Sequence, residues 1–201
     1  MEKEKELMLK YSFALEVLKT EMNILIKNYE YKNSYNPVEH IKSRIKTKES
    51  AIKKLEKKGY DLTYENLEKH VHDMVGLRIV CSFMSDVYEI VDLIKNSKQF
   101  KIVEEKNYIL NPKDSGYSSY HLNILVPIHL DNETEYVEAE IQIRTIAMDF
   151  WASLDHKIRY KFPSEIPDEV KEEMFNCSLD IRLLDNKMEN LSQVMKKYNE
   201  N

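Results

Sequence analysis

Two acidic residues, Asp73 and Glu140, and a run of cations ahead of them are the side chains on which chemistry can rest. Between Glu39 and Lys58 there are eight Lys or Arg against three Glu. Metal-assisted phosphoryl chemistry needs carboxylates to hold the ion, cations to spread the transferred charge, and a group that takes the nucleophile's proton. Asp73 stands just before one predicted strand and Glu140 inside another, so neighbouring strands would bring both onto one metal ion. Tyr117, beside Gly116 in a predicted loop, can stack on a base, with Lys113 near the phosphates of the same ligand and His121 on the strand that follows. The three glycines, Gly59, Gly76 and Gly116, cannot assemble a Walker-type loop or a dinucleotide fingerprint, so any phosphate must be held by side chains. The pair His72-Asp73 imitates the dyad of metal-dependent phosphohydrolases, but no spacing elsewhere supplies the further His and Asp ligands that chemistry needs.

These groups need elements to position them. Residues 1–31 read as an amphipathic helix, and 37–58 as a second, opened by Pro37 and closed near Gly59, with Ile41, Ile45, Ile52 and Leu55 as its apolar stripe. Lys46, Ser50 and Lys54 would share another face of that helix. Leu77, Ile79, Cys81 and Phe83 alternate in a strand that turns Arg78 the other way, and a short helix over 86–95 follows. Further strands are expected near 100–109 and over 119–128. The clearest alternation runs from Glu135 to Arg144: Val137, Ala139, Ile141 and Ile143 face one side, and Glu138, Glu140, Gln142 and Arg144 the other. That polar row is either the solvent side of an edge strand or the floor of a charged cleft. Helices over 146–160 and 168–198 complete an α/β (α+β) fold, a mixed sheet between helical layers. On the last helix Met174, Cys177, Ile181, Leu184, Met188, Leu191 and Met195 recur at steps of three and four, a heptad seam that serves packing on the sheet or subunit association.

At 201 residues, 42% hydrophobic and 32% charged, the chain has the size and balance of one globular domain. It divides into an N-terminal helical segment (1–36), a core (37–165) and a C-terminal helix (166–201). A net charge of −5 disfavours a protein that coats nucleic acid, while the local basic run suits a small polyphosphate. No cationic leader with an apolar run and no membrane-length apolar stretch is found, which points to the cytoplasm. Cys81 and Cys177 lack the spacing of a metal knuckle, and both are expected in the core.

The ordered series Arg44-Ile-Lys46, Ser50, Lys54, His72-Asp-Met-Val-Gly-Leu-Arg78, Gly116-Tyr-Ser-Ser-Tyr-His121, Glu140-Ile-Gln-Ile-Arg-Thr145 and Trp151-Ala-Ser-Leu-Asp-His156 resembles the RelA/SpoT synthetase domain, and among its members the small alarmone synthetases that carry that domain alone. The likeness runs from about Tyr35 to Phe162 and lies in the order and spacing of several motifs. It implies a nucleotidyltransferase-like mixed sheet and transfer of the β,γ-pyrophosphoryl group of ATP to the 3′-hydroxyl of GTP or GDP. By the same resemblance Arg44 and Arg78 would sandwich adenine, and Lys46, Ser50 and Lys54 would meet ATP phosphates. Asp73 and Glu140 would hold Mg2+, with Glu140 also the candidate general base. Tyr117 would stack on guanine; Lys113, His121, Gln142 and Arg144 would line the acceptor side; Asp149 would accept the guanine N1 and N2 hydrogens; His156 would be structural.

One departure stands out. The family's loop usually reads Gly-Tyr-Arg-Ser-Leu-His, whereas Ser118 and Tyr120 stand here for the arginine and the leucine. Loss of that cation touches a phosphate contact and the preference between GTP and GDP. Without hydrolase or regulatory regions, synthesis without hydrolysis is expected, as are a homotetramer joined through terminal helices and single-stranded RNA as a regulator. Two other readings stay open: pyrophosphorylation of a tRNA 3′ end, and an inactive domain that binds guanine nucleotides or RNA.

Overall fold

The structure, a computed structural model, describes residues 2–130, 133–161 and 166–199. Phe162, where the family likeness ends, lies outside them. Eleven elements follow one another: α1 (Glu2–Asn33), β1 (Val38–Ile45), α2 (Lys48–Lys57), α3 (Tyr64–His70), β2 (Val75–Cys81), α4 (Met84–Lys95), β3 (Lys101–Asn107), β4 (Tyr120–Leu130), β5 (Glu133–Thr145), α5 (Ile146–Lys161) and α6 (Asp168–Asn199). The strands form one sheet in the order β1-β2-β5-β4-β3, antiparallel except for the parallel pair β2 and β5.

One face of the sheet is apolar by alternation. Leu77 and Ile79 of β2, Leu122, Ile124, Val126 and Ile128 of β4, and Ala139, Ile141 and Ile143 of β5 are buried there. Helix α1 lies on this face with Leu7, Tyr11, Ala14, Leu18, Met22 and Ile26 at steps of three and four, joined by Val87, Ile90, Val91 and Ile94 of α4. Leu18 and Met22 are fully buried, and truncating either to alanine is worth about 2–5 kcal/mol of stability. The opposite face carries the polar row of β5, which is a central strand, so the row is no solvent-facing edge.

The expected helix over 37–58 is instead β1 followed by α2. Ile41 and Ile45 are four apart, which suits the two-residue period of a strand as well as a helical stripe. A register shift between Val38 and His40, in an edge strand with a single partner, masks the alternation further. Thr47 was the readable signal for the break: it is the N-cap of α2, its hydroxyl accepting from Ser50 N at 3.3 Å. Lys46 therefore directly follows β1, its amide donating to Met74 O at 2.8 Å, and does not share a helix face with Ser50 and Lys54. Phe83 likewise lies past β2, at the N-cap of α4, and the short α3 was not foreseen at all.

Helix α6 follows the expected span, but its seam does not lie down on the body. Met174 is buried, while Leu184, Met188, Leu191 and Met195 are exposed. Helix α6 is fastened by polar contacts instead: Trp151 Nε1 donates to Met174 O (3.1 Å), Thr145 Oγ1 to Asp185 Oδ2 (2.6 Å), and Ser85 N to Glu189 Oε2 (3.0 Å). Cys81 is buried as expected; Cys177, on the outward seam, is exposed.

Candidate active site

Sheet register alone gathers five of the candidate residues, Arg44, Arg78, His121, Glu140 and Gln142, into two rows across the open face. Arg44 of β1, Gly76 of β2, Glu140 of β5 and Asn123 of β4 are successive partners, and so are Lys42, Arg78, Gln142 and His121. Between β1, β2 and β5 these rows border a cleft of about 180 Å3 lined by Arg44, Arg78, Asp73, Glu140 and Gln142. Gly76 forms its floor. A Cβ there would meet Arg44 Cγ at 3.7 Å, an ordinary contact, so glycine is not demanded by crowding but leaves the slot between the two arginines open. Arg78 Nε is buried and, among the described residues, has no hydrogen-bond partner. A buried donor left unmet beside a cleft is a group prepared for a ligand.

Asp73 sits in the turn between α3 and β2. Its Oδ2 accepts from Lys46 Nζ at 2.7 Å and its Oδ1 from Lys54 Nζ at 2.8 Å, so the end of β1 and α2 converge on one carboxylate. Burial works to raise its pKa, but the two lysines outweigh it and hold the carboxyl below its ordinary value. Ser50 is exposed in the first turn of α2, outside the lining of the cleft, its hydroxyl accepting from Thr47 at 3.0 Å.

Glu140 belongs to a closed ring of side chains. Its Oε1 lies 3.1 Å from His121 Nδ1, and its Oε2 accepts from Gln142 Nε2 at 2.5 Å. The Gln142 amide oxygen accepts from Arg144 NH2 at 2.8 Å; the same nitrogen donates to the Tyr117 hydroxyl at 2.6 Å; and that hydroxyl lies 2.8 Å from His121 Nε2. A carboxylate only accepts, so His121 Nδ1 carries a hydrogen, and in the neutral ring Nε2 must take the Tyr117 proton. Burial pushes the Glu140 carboxyl up and the charge of Asp73 adds to that, but His121 and Gln142 together leave it below its ordinary value. Glu140 thus feels the charge of Asp73, yet both carboxyls are held below their ordinary values.

Beyond the ring, Asp149 Oδ1 accepts from Arg78 NH1 and Arg144 NH1, both at 3.1 Å, and ties the cleft to the Tyr117 side. Lys113 Nζ lies 5.0 Å above the Tyr117 ring and 4.8 Å above that of Tyr108. Tyr108 also meets His121 edge-on at 5.1 Å between centroids. Gly116, at φ +86°, sets the loop: a Cβ there would stand 2.0 Å from Ser178 Oγ of α6, so neither the backbone nor the packing admits a side chain.

The structure therefore brings Arg44, Arg78, Asp73, Glu140 and Gln142 into one cleft, sets Lys46 and Lys54 on Asp73, and places Tyr117, His121, Arg144 and Asp149 in a connected network beside it. Sequence reading missed Lys42 and Ser43 of the cleft wall, Tyr108, and the contact of His72 Nδ1 with Glu138 Oε2 at 2.7 Å. Glu138 was legible as a member of the polar row; Tyr108, at the end of a strand, gave no signal. Asp73 and Glu140 suit a hard cation such as Mg2+, which takes one or two carboxylates and fills its shell with water and phosphate oxygens. Among the described residues no cluster of three or more His, Cys, Asp or Glu offers a metal a complete cage.

A family model described as a region found in RelA / SpoT proteins matches residues 43–165. The GTP pyrophosphokinase YwaC of Bacillus subtilis (strain 168) is 46% identical over 188 residues, 94% of this chain and 90% of that protein. The crystal structure of small alarmone synthetase 2 from Bacillus subtilis, 45% identical, aligns with a TM-score of 0.85 over 94% of this chain and 97% of the other. That of small alarmone synthetase 1 from Bacillus subtilis bound to its product pppGpp, 33% identical, aligns with a TM-score of 0.88 over 96% and 98%.

Proposed function

The chain belongs to the RelA/SpoT family, and we propose that it is a GTP pyrophosphokinase, moving the β,γ-pyrophosphoryl group of ATP to the 3′-hydroxyl of GTP or GDP and releasing AMP. The observation that carries this reading is the convergence of Asp73, Glu140, Arg44 and Arg78 on one cleft, with the buried Arg78 Nε unmet. Adenine would lie over Gly76 between the two guanidinium planes, a stack that suits Arg and fails with Lys. The polyphosphate then runs past Asp73 toward Lys46, Lys54 and Ser50 in the first turn of α2.

On the other side guanine stacks on Tyr117, with Lys113, His121, Gln142 and Arg144 around the acceptor's phosphates and ribose. Asp149 holds Arg78 and Arg144 in register and faces the guanine edge. Asp73 and Glu140 are the residues that would hold Mg2+, which when bound spreads the charge of the group in transfer. Glu140, kept ionised and oriented by His121 and Gln142, takes the proton of the attacking hydroxyl.

No described helix is long and apolar enough to cross a membrane, and we place the enzyme in the cytoplasm. The exposed stretch Leu184, Met188, Leu191 and Met195 of α6 is the surface on which further copies would assemble a homotetramer.

The test is incubation of purified protein with magnesium, γ-labelled ATP and, separately, GTP, GDP or deacylated tRNA. Label in pppGpp or ppGpp with an equal yield of AMP is expected. Label on tRNA alone, or no transfer to any acceptor, would overturn the proposal.

A further inference from the structure

The two carboxylates of the cleft are engaged in different ways. Glu140 is met by an imidazole and a neutral amide, His121 and Gln142, whereas both oxygens of Asp73 are taken by ammonium groups, Lys46 at 2.7 Å and Lys54 at 2.8 Å. Neither lysine comes from the segment that carries Asp73: one directly follows β1 and the other stands on α2. The side chains involved are mostly withdrawn from water, Asp73 at 17% exposure and Lys46 at 13%, so solvent screens these pairs weakly.

The formal charges of Asp73, Glu140, Lys46 and Lys54 cancel, two negative against two positive. Arg44 and Arg78 line the same cleft and add further positive charge, so a divalent cation approaching Asp73 meets no net attraction, and it meets two ammonium groups within hydrogen-bond distance of the oxygens it would ligate. A triphosphate changes that balance, because its oxygens are better partners for lysine than a single shared carboxylate and bring several negative charges of their own.

Building on the proposed pyrophosphokinase reading, we infer that Lys46 and Lys54 are a removable cap on Asp73: ATP draws both ammonium groups onto its phosphates, and Asp73 becomes a metal ligand only as the nucleotide binds. The site thus selects the metal–nucleotide complex over free metal. It also makes the two lysines serve twice, first as partners of Asp73 and then of the phosphates. Lys46 moves least, since its backbone is pinned to Met74 O. The Lys54 side chain, on α2 and 34% exposed, has room to swing.

The experiment uses Mn2+ as the probe, followed by electron paramagnetic resonance on the full-length protein, with and without the α,β-methylene analogue of ATP. No turnover is involved, so the outcome is readable whichever acceptor the enzyme uses and even if pyrophosphoryl transfer fails. Wild type is expected to bind Mn2+ alone at least about tenfold more weakly than the Lys46→Met/Lys54→Met variant does. Adding Asp73→Asn to that variant should abolish the gain. Should the double variant fail to fold by circular dichroism, Lys54→Met alone carries the comparison, with a smaller gain in the same direction. Mn2+ held by wild type as tightly without the analogue as with it, or lysine variants that bind Mn2+ no better than wild type, would overturn the inference.

Discussion

The halves of the site on either side of Glu140 are built on different principles. On the β1–β2 side, Lys46 and Lys54 pair with Asp73 beside an open slot lined by Arg44 and Arg78, and among the described residues a buried Arg78 nitrogen is left unmet. On the β4–β5 side, Tyr117, His121, Glu140, Gln142 and Arg144 close a ring of hydrogen bonds in which the orientation of every amide and imidazole follows from its neighbours. Ion pairs to lysines can be exchanged for ligand phosphates; a closed ring resists rearrangement. The first half is therefore suited to receiving a flexible polyphosphate and the second to presenting a base and a stacking surface in fixed geometry.

The comparison is broken most severely at the residue the halves share. Glu140→Gln removes the charge and the proton acceptor while keeping the shape, and should cut kcat by about a thousandfold or more with the fold retained by circular dichroism; turnover near that of wild type would remove Glu140 from the chemistry. Tyr117→Ala opens the ring and deletes the stacking face. It should raise the acceptor KM by about 10- to 100-fold, as expected for one lost base stack, and leave the ATP KM within a few-fold. A larger effect on ATP would place the tyrosine on the wrong side of the site.

Acid tests both halves together. Asp73 and Glu140 have folded-state pKa values below their ordinary 3.8 and 4.5, so their ionised forms favour the folded state. Their contribution to stability is complete above the ordinary values and is lost as the pH falls through the depressed ones. Activity should accordingly show no carboxylate limb above about pH 4.5 and then fall about tenfold per unit below the lowered pKa of the base, while urea midpoints fall over the same range. The smallest expected effect is that of Ser50→Ala. One neutral hydroxyl in the first turn of α2 contributes about 1 kcal/mol on the proposed phosphate path, so the ATP KM should rise about fivefold with kcat unaltered.

Much of this was legible before the fold was known, and the exceptions have identifiable causes. Alternation in β2, β4 and β5 marked the inward and outward faces because a half-buried strand must segregate apolar from polar residues at every second position. The same rule failed for β1. An edge strand buries little, its register shift breaks the period, and apolar residues four apart satisfy both helix and strand. Helix α3 escaped because seven residues hold too few turns for a stripe to emerge, though Thr63 caps it. The C-terminal seam was read correctly as a pattern, but a heptad pattern specifies a face and not what covers it: the body of the protein holds α6 through Met174, Asp185 and Glu189, and the apolar face beyond Ile181 points outward.

The sequence by itself determined the kinds of group available: two isolated carboxylates, a basic run without glycine-rich loops, a loop tyrosine followed by a strand histidine, and a polar row on a strand. Those are properties of residue type and local period, which need no long-range information. Only the tertiary structure decided which of them meet. The parallel pairing of β2 with β5 sets Gly76 beside Glu140, and through it the two rows of the cleft. The turn between α3 and β2 puts Asp73 within reach of two lysines 27 and 19 residues before it. The ring through Tyr117 and Arg144 closes across 27 residues of chain. Contacts of that separation are fixed by which apolar faces bury against one another, and no window of local sequence contains that information.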